Sequence, residues 1–440
     1  MLMLAHVLPR LTQEYSKLLK HAKDDTAIFM YPCSSRRSHW LPFLLTAALM
    51  LTNLADATTR NGETDFTLWL QGLRKEALQQ GISTQTLDHA LKGVRPIERV
   101  IELDHRQPEF TETFWNYLRA RVTPQRIATG KRLLQRHHQL LQRMARHYGV
   151  PPRYLVAFWG LETNFGKYQG RFPTVNALVT LAYDPRRGEF FRVQALDALR
   201  ILDQGHITAN KMKGSWAGAI GQLQFMPSTF LANAVDGDND GKKDVWSDLP
   251  DVFASGANYL HHLGWRKEEL WGREVQLPRQ FDWQLTGLKT SKSLKTWSNL
   301  GVKRANGAPL PKADMQGAIV LPQGHEGPAF LVYNNFQVIL KWNRAINYAI
   351  AVGHLADRMI GLPAIRNGRQ ADNRRLSYKL ALELQQRLNA LGFASGEPDG
   401  VPGARTRQAV RAYQQASGLP TDGYPSVALL EQLRRQKPPE

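Results

Sequence analysis

Apolar residues fall three or four positions apart at Phe66, Leu70 and Leu73, and the same spacing runs from about Gly130 to Tyr148, the mark of helices with one buried face. The apolar run Tyr154–Trp159 follows Pro151-Pro152, a proline start for a third helical stretch, and Gly166 stops it. Helical patterning continues to about Trp265. Between Trp271 and Pro328 it gives way to short runs broken by Gly, Pro, Asn and Ser, with strands expected at Val275–Leu277 and Gly317–Leu321, so a small β insertion is predicted there. Helical spacing returns from Phe336 to Ile360, and the basic, Pro- and Gly-bearing stretch from Leu362 to Arg375 reads as a linker. Beyond it, Leu380, Leu384, Leu388 and Leu391 share a helical face that Gly392 ends. Val410 and Tyr413 mark a second short helix, Val427, Leu430 and Leu433 a third, with Gly396–Gly400 and Thr421–Gly423 as turns. The expected architecture is mainly α, with a minor β part (α+β) and a separate three-helix module.

The length of 440 residues suits two or three domains, and 42% apolar residues with 11 tryptophans exclude a disordered tail or low-complexity scaffold. Lysine and arginine outnumber acids 57 to 38, a formal charge of +19, which predicts attraction to an anionic partner and binding that weakens with salt. The segment Trp40–Leu51 is apolar, follows Arg36 and Arg37, and precedes Ala55-Asp56-Ala57, the layout of a secretory signal with a small-residue cleavage site. It is shorter than the about 20 apolar residues a membrane span needs, so we expect a soluble mature protein, with an uncleaved anchor as the alternative. Met30 would give the leader an ordinary length. The single cysteine, Cys33, allows no intramolecular disulfide and precedes the apolar run, so it is not a lipoprotein cysteine.

Nucleotide-binding, zinc-protease and penicillin-binding signatures are missing from the sequence. Attention therefore moves to Glu162, which closes the third helical stretch with Phe158 and Trp159 one turn before it and Phe165 just after. A carboxyl among aromatic rings at the negative end of a helix is where desolvation favours the neutral acid, the form a general acid needs. A purely local role, capping through Thr163 or Asn164, is the alternative. Asp184 and Glu189 read as turn and surface charges.

The string Trp159–Gly166, together with Gly214–Ser228, resembles the membrane-bound lytic murein transglycosylase B family. The resemblance runs through Phe114–Tyr117, Ala257–Tyr259 and Asn343–Tyr348, in the same order, and spans about residues 62–365. The strings Leu384–Gly392, Pro398–Gly400, Thr406–Val410, Gly418-Leu419 and Asp422-Gly423 are similar to the three-helix peptidoglycan-binding domain. The implied layout is a leader and signal over 1–57, a catalytic domain over 62–365, a linker over 366–376 and a peptidoglycan-binding domain over 377–436. What the family implies is a lysozyme-like core that cleaves the β-1,4 bond between N-acetylmuramic acid and N-acetylglucosamine without consuming water. Glu162 stands where that family has its one catalytic carboxylate, acid first and base second, closing a 1,6-anhydro ring. An ordinary glycosidase would need a second carboxylate roughly 5 to 9.5 Å away, and none lies in these motifs. By the same resemblance Ser215 and Gln224 line the sugar site, although each could serve only its loop. Tyr117, Tyr259 and Tyr348 match active-site tyrosines, although any could be core. Trp342 replaces a tyrosine of the family, so stacking survives there while a hydroxyl contact does not, and Asn343 is retained beside it.

Asp236-Gly-Asp238-Asn-Asp240-Gly-Lys242 fits the first half of an EF-hand loop, in which alternate carboxylates converge on a cation and Lys242 offers its carbonyl. Its closing position is Ser247 rather than glutamate. The family closes its calcium site with a later aspartate, with which Asp251 aligns, so a structural Ca²⁺ is expected, and an empty Asx-turn loop is the alternative. No organic cofactor is expected. The expected setting is the periplasm, with peptidoglycan glycan strands and other cell-wall enzymes as partners and no nucleic acid. A hydrolytic muramidase and an inactive wall-binding scaffold are the competing readings.

Overall fold

The computed structural model describes residues 65–106, 112–368 and 374–436. The expected leader, cleavage site and Cys33 lie outside the described residues. The first helix, α1 (65–79), with Leu73 and Ala77 buried and the rings of Phe66 and Trp69 stacked at 6.2 Å, belongs to a unit that ends at Gly81. Everything from Ile82 onward forms a second unit.

That unit begins with α2 (Thr84–Ala90), whose N-cap Ser83 accepts the Thr86 N–H, and α3 (Glu98–Arg106). There follow α4 (Phe114–Arg121), α5 (Pro124–Arg136) and α6 (His138–Tyr148). The stretch expected as one helix from Gly130 to Tyr148 is therefore broken at His137, and Gly149 ends α6 in the left-handed conformation at φ 74°. Next comes α7 (Pro152–Thr163), a helix buried nearly all round from Tyr154 to Gly160. It forms the centre of the core, packed by α5, α6, α11 (Leu249–His262) and α14 (Ile346–Met359). Between them run α8 (Thr174–Tyr183), α9 (Gly188–Asp203) and α10 (Pro227–Asn233), and the two-residue strands β1 (Phe172–Pro173) and β2 (Lys213–Gly214) pair antiparallel. Buried Asp104 of α3 is gripped by both Arg186 and Arg187 at the start of α9.

The β insertion is a five-stranded antiparallel sheet of β3 (Gly272–Gln276), β4 (Ser291–Ser293), β5 (Lys303–Arg304), β6 (Gln316–Val320) and β7 (Ala329–Val332), in the order β4-β6-β7-β3-β5. Register pairs Val275 with Ala329 and Ala318 with Val332. Its own apolar core gathers Val275, Trp297 of α12 (Leu294–Asn299), Ile319 and Leu331, and the Trp297 indole N–H is satisfied by the Gly317 carbonyl at 2.8 Å. The chain then enters α13 (Asn334–Trp342), and a break at Asn343–Ala345 separates it from α14.

The module consists of α15 (Tyr378–Ala390), α16 (Ala404–Ala416) and α17 (Val427–Arg435) around Leu384, Leu388, Val410, Tyr413 and Leu430. Two turns are fastened alike. Gln385 donates to Asp399 (2.8 Å) and accepts the Gly400 N–H (2.7 Å), while Gln414 donates to Asp422 (2.8 Å) and accepts the Gly423 N–H (2.8 Å). The second turn reaches outward: Asp422 accepts the backbone N–H of His325 at 2.7 Å and its ring Nδ1 at 2.8 Å. Residues 366 and 367, expected in the linker, donate their N–H groups to Glu274 of β3, and the Gly368 carbonyl accepts the Trp115 indole N–H at 2.8 Å.

Candidate active site

Glu162 occupies the last turn of α7. The helix stops there because Asn164 (φ 50°), Phe165 (φ 61°) and Gly166 (φ 81°) are all left-handed, a costly run for two residues with side chains. The carboxyl of Glu162 is half-buried, and its Oε1 accepts two hydrogen bonds, one from the Trp342 indole Nε1 at 3.1 Å and a short one from the Tyr348 hydroxyl. Burial first, then the adjacent Glu162 carboxylate and Tyr117, push the Tyr348 phenol well above the usual tyrosine range, so it is held as a donor.

Around this pair stands an aromatic wall. Trp342 lies 4.4 Å from Phe158, 5.0 Å from Tyr259 and 5.4 Å from Phe225, measured between ring centroids. Tyr259 is buried on α11, which raises its phenol, and hydrogen-bonds Thr229. Tyr117 is buried on α4 under the Arg121 guanidinium, 3.7 Å from its ring centre. The structure thus gathers Glu162, Tyr117, Tyr259, Trp342 and Tyr348 from α4, α7, α11, α13 and α14.

The other three expected sugar contacts make local hydrogen bonds. Ser215 Oγ accepts the Ala219 N–H at 3.0 Å, the Gln224 amide donates to Gln169 O (3.1 Å) and Gly221 O (3.0 Å), and Asn343 Oδ1 accepts the Ala345 N–H at 3.0 Å. Each of these bonds holds the loop that carries the residue, and Gln224 also ties its loop to that of Gln169. Asp184 closes its own turn by accepting the Arg186 N–H, and Glu189 is exposed on the first turn of α9. Sequence reasoning gave Trp342 a stacking role only, whereas its indole N–H supplies a hydrogen bond to the acid. It named Thr163 only as a capping partner and passed over Gln222, whose carbonyl accepts the Thr163 hydroxyl and whose one visible signal was its place inside the second motif string.

In the acidic loop, Asp236, Asp238 and Asp251 bring carboxylate oxygens within 4.8 Å of one another. Asp236 accepts the N–H groups of Asn239 (2.7 Å) and Gly241 (2.9 Å), wrapping the chain around itself with Asn239 and Gly241 left-handed. Asp240 is not in that cluster; its Oδ1 accepts the Lys242 N–H at 2.8 Å. Asp251 is 1% exposed, and burial pushes it up to about 6, against the N–H groups of Gly237 and Asp244 that it accepts. Three hard oxygen donors, one of them buried, suit a divalent cation such as Ca²⁺.

A transglycosylase SLT domain model matches residues 65–357, and a putative peptidoglycan-binding domain model matches residues 378–433. Crystal structures of SltB3 from Pseudomonas aeruginosa, in complex with NAG-anhNAM-pentapeptide and with NAG-NAM-pentapeptide, are 45% identical, cover 84% of this chain and 99% of theirs, and superpose with a TM-score of 0.81. Membrane-bound lytic murein transglycosylase B of Escherichia coli is 28% identical over 295 residues, 65% of this chain and 80% of that protein. The E. coli Slt35 structure in complex with calcium is 28% identical, covers 66% of this chain and 91% of that one, and has a TM-score of 0.57. A lysozyme-like helical core matching the SLT transglycosylase domain, followed by a peptidoglycan-binding module, defines a peptidoglycan-cleaving lytic transglycosylase. This chain belongs to the SLT transglycosylase family.

Proposed function

We propose that Glu162 carries both proton transfers of the lytic reaction. As acid it protonates the glycosidic oxygen between N-acetylmuramic acid and N-acetylglucosamine; the C1–O bond breaks and its electron pair leaves with the N-acetylglucosamine unit. As carboxylate it then takes the proton of the muramoyl C6 hydroxyl, whose oxygen bonds to C1 and closes the 1,6-anhydro ring. Water is not a reactant. The observation that carries this reading is the Glu162 carboxyl fixed by Trp342 and Tyr348, two neutral donors that orient it without adding a charge. Tyr117 and Tyr259 line the same wall, and Ser215, Gln224 and Asn343 contour the sugar site through the loops they hold. The anhydro-muramyl compound bound to the SltB3 relative supports the non-hydrolytic course.

Asp236, Asp238 and Asp251 would hold a Ca²⁺, with Asp240 and the Lys242 carbonyl completing the set, and the ion would lock the loop between Gln224 and Tyr259. The calcium complex of the Slt35 relative supports that assignment. The signal-like pattern over residues 36–57 supports export to the periplasm, and no helix among the described residues is long and apolar enough to cross a membrane. The test is mass spectrometry of soluble muropeptides released from sacculi. Products lighter by one water than hydrolytic muropeptides, absent with Glu162→Gln, are expected; full-mass reducing ends would make the protein a muramidase.

A further inference from the structure

Gln222 makes hydrogen bonds to the last two turns of α7, which carry Glu162, and to the Val245-Trp246 segment. Gln222 is 7% exposed. Its Oε1 accepts the Trp159 indole N–H at 2.6 Å, and its Nε2 donates to the Trp246 carbonyl at 3.0 Å. Its backbone takes part as well: the carbonyl accepts the Thr163 hydroxyl at 2.7 Å, and the N–H donates to Val245 O at 2.8 Å. Thr163 Oγ1 in turn accepts the Gly166 N–H at 2.9 Å, and a Cβ on Gly166 would overlap the Gln222 amide oxygen. One buried side chain therefore touches the residue three before Glu162, while its carbonyl holds the residue just after it and its amide fills the space that only glycine leaves at the left-handed turn.

The far side of this contact is equally well anchored. Trp246 O also accepts from Gln169 at 2.9 Å, and the Trp246 N–H is held by Asp244, whose own N–H is bound by Asp251 at 2.5 Å. A continuous hydrogen-bonded path thus runs from the acidic loop through Trp246 and Gln222 to the last turn of α7.

We propose that Gln222 is a positioning residue of the reaction, setting the rotation of the α7 terminus so that Glu162 meets first the glycosidic oxygen and then the C6 hydroxyl. The inference rests on Glu162 being the acid and base. Gln222 acts through Trp159, Thr163 and Gly166. Because one carboxyl must serve two differently placed protons, a small change in its aim harms the second step most, and water then competes with the C6 hydroxyl for C1.

The test compares full-length parent, Gln222→Met, Trp159→Phe and the double variant on sacculi and on soluble glycan. Gln222→Met keeps the side-chain length and removes both amide hydrogen bonds. Expected is a fall in kcat of about 30-fold with KM changed by less than about threefold, the pattern of an interaction realised in the transition state. The ratio of full-mass to anhydro products is expected to rise by about tenfold. Trp159→Phe should lose a comparable factor, and the double variant should be little worse than either single, because both remove the same Trp159–Gln222 hydrogen bond. A kcat within about twofold of the parent, or losses that multiply in the double variant, would overturn the proposal. If Gln222→Met does not fold, Thr163→Val, which removes the hydroxyl that Gln222 O accepts, carries the same test on product ratio. Glu162→Gln separates the two readings: an active Glu162→Gln refutes the acid and base assignment itself, whereas an inactive Glu162→Gln beside a fully active Gln222→Met refutes the positioning role alone.

Discussion

Glu162 and Asp357 each accept an indole N–H, and the contrast between them is instructive. Glu162 takes its bond from Trp342 at the end of α7; Asp357 takes one from Trp271 at 2.8 Å, late in α14. Burial pushes Asp357 up to about 6, with Arg153 and Arg273 pulling the other way, which on its own would nominate Asp357 as a poised acid. Its surroundings are those of a packed helix face: the Trp271 ring lies so close over Gly353 that a Cβ there would overlap it. Glu162 instead sits beside a left-handed turn, a tyrosine hydroxyl and an aromatic wall. A perturbed carboxyl marks burial; a site also needs donors arranged around a place for substrate.

The sharpest way to break the comparison is to neutralise each acid. Glu162→Gln should lower anhydro-muropeptide release by about a thousandfold or more while sacculus binding stays unchanged. Tyr348→Phe, which removes the second donor to Glu162, should cost about 10- to 100-fold in kcat, read on the same release assay. Asp357→Asn should leave kcat within about twofold and raise stability. The folded pKa of about 6 lies above the unfolded value of 3.8, so the acid's favourable contribution is present below that lower value and is lost as pH rises toward 6. The Asn variant should therefore gain over the parent between about pH 4 and 7, by up to about 3 kcal/mol, seen as a widening Tm gap. A gap that is the same at both ends would refute the assignment.

Smaller effects belong to the module. Truncation after Leu376 should reduce activity on intact sacculi more than on soluble fragments, and equal losses would deny the module a role in targeting. His325→Ala should loosen its contact by about 1 kcal/mol. The hydrogen bond to Asp422 raises His325, so its contribution is complete below the ordinary histidine value and fades as pH rises through the raised one. Limited proteolysis near residue 370 at pH 6 and pH 8 would read that difference, the parent converging on the variant at the higher pH.

How far the sequence revealed this arrangement depends on the distance over which each feature is built. The helix bearing Glu162 and the three module helices are local, with a proline start, leucine spacing and glycine stops, and all were legible. Strands at Val275 and Gly317 were legible too, but β7 was not: all four of its residues are buried, so no alternation marks it. The edge strands Ser291–Ser293 and Lys303–Arg304 are too short and polar to carry a signal. The break between α13 and α14 rests on one side-chain bond, Asn343 to the Ala345 N–H. Trp342 and Tyr348 lie 180 and 186 residues beyond Glu162, so only family resemblance could bring them to it, and the indole bond itself had no linear trace.

That separation also bears on time. The turn after Glu162 waits for Gln222, 59 residues downstream of Thr163, and the acid waits for Trp342 and Tyr348. Contacts so far apart along the chain form late. On the role proposed for Glu162, a nascent chain emerging N-terminus first exposes its acid long before it can cut, and the blade is set only when α13 and α14 arrive.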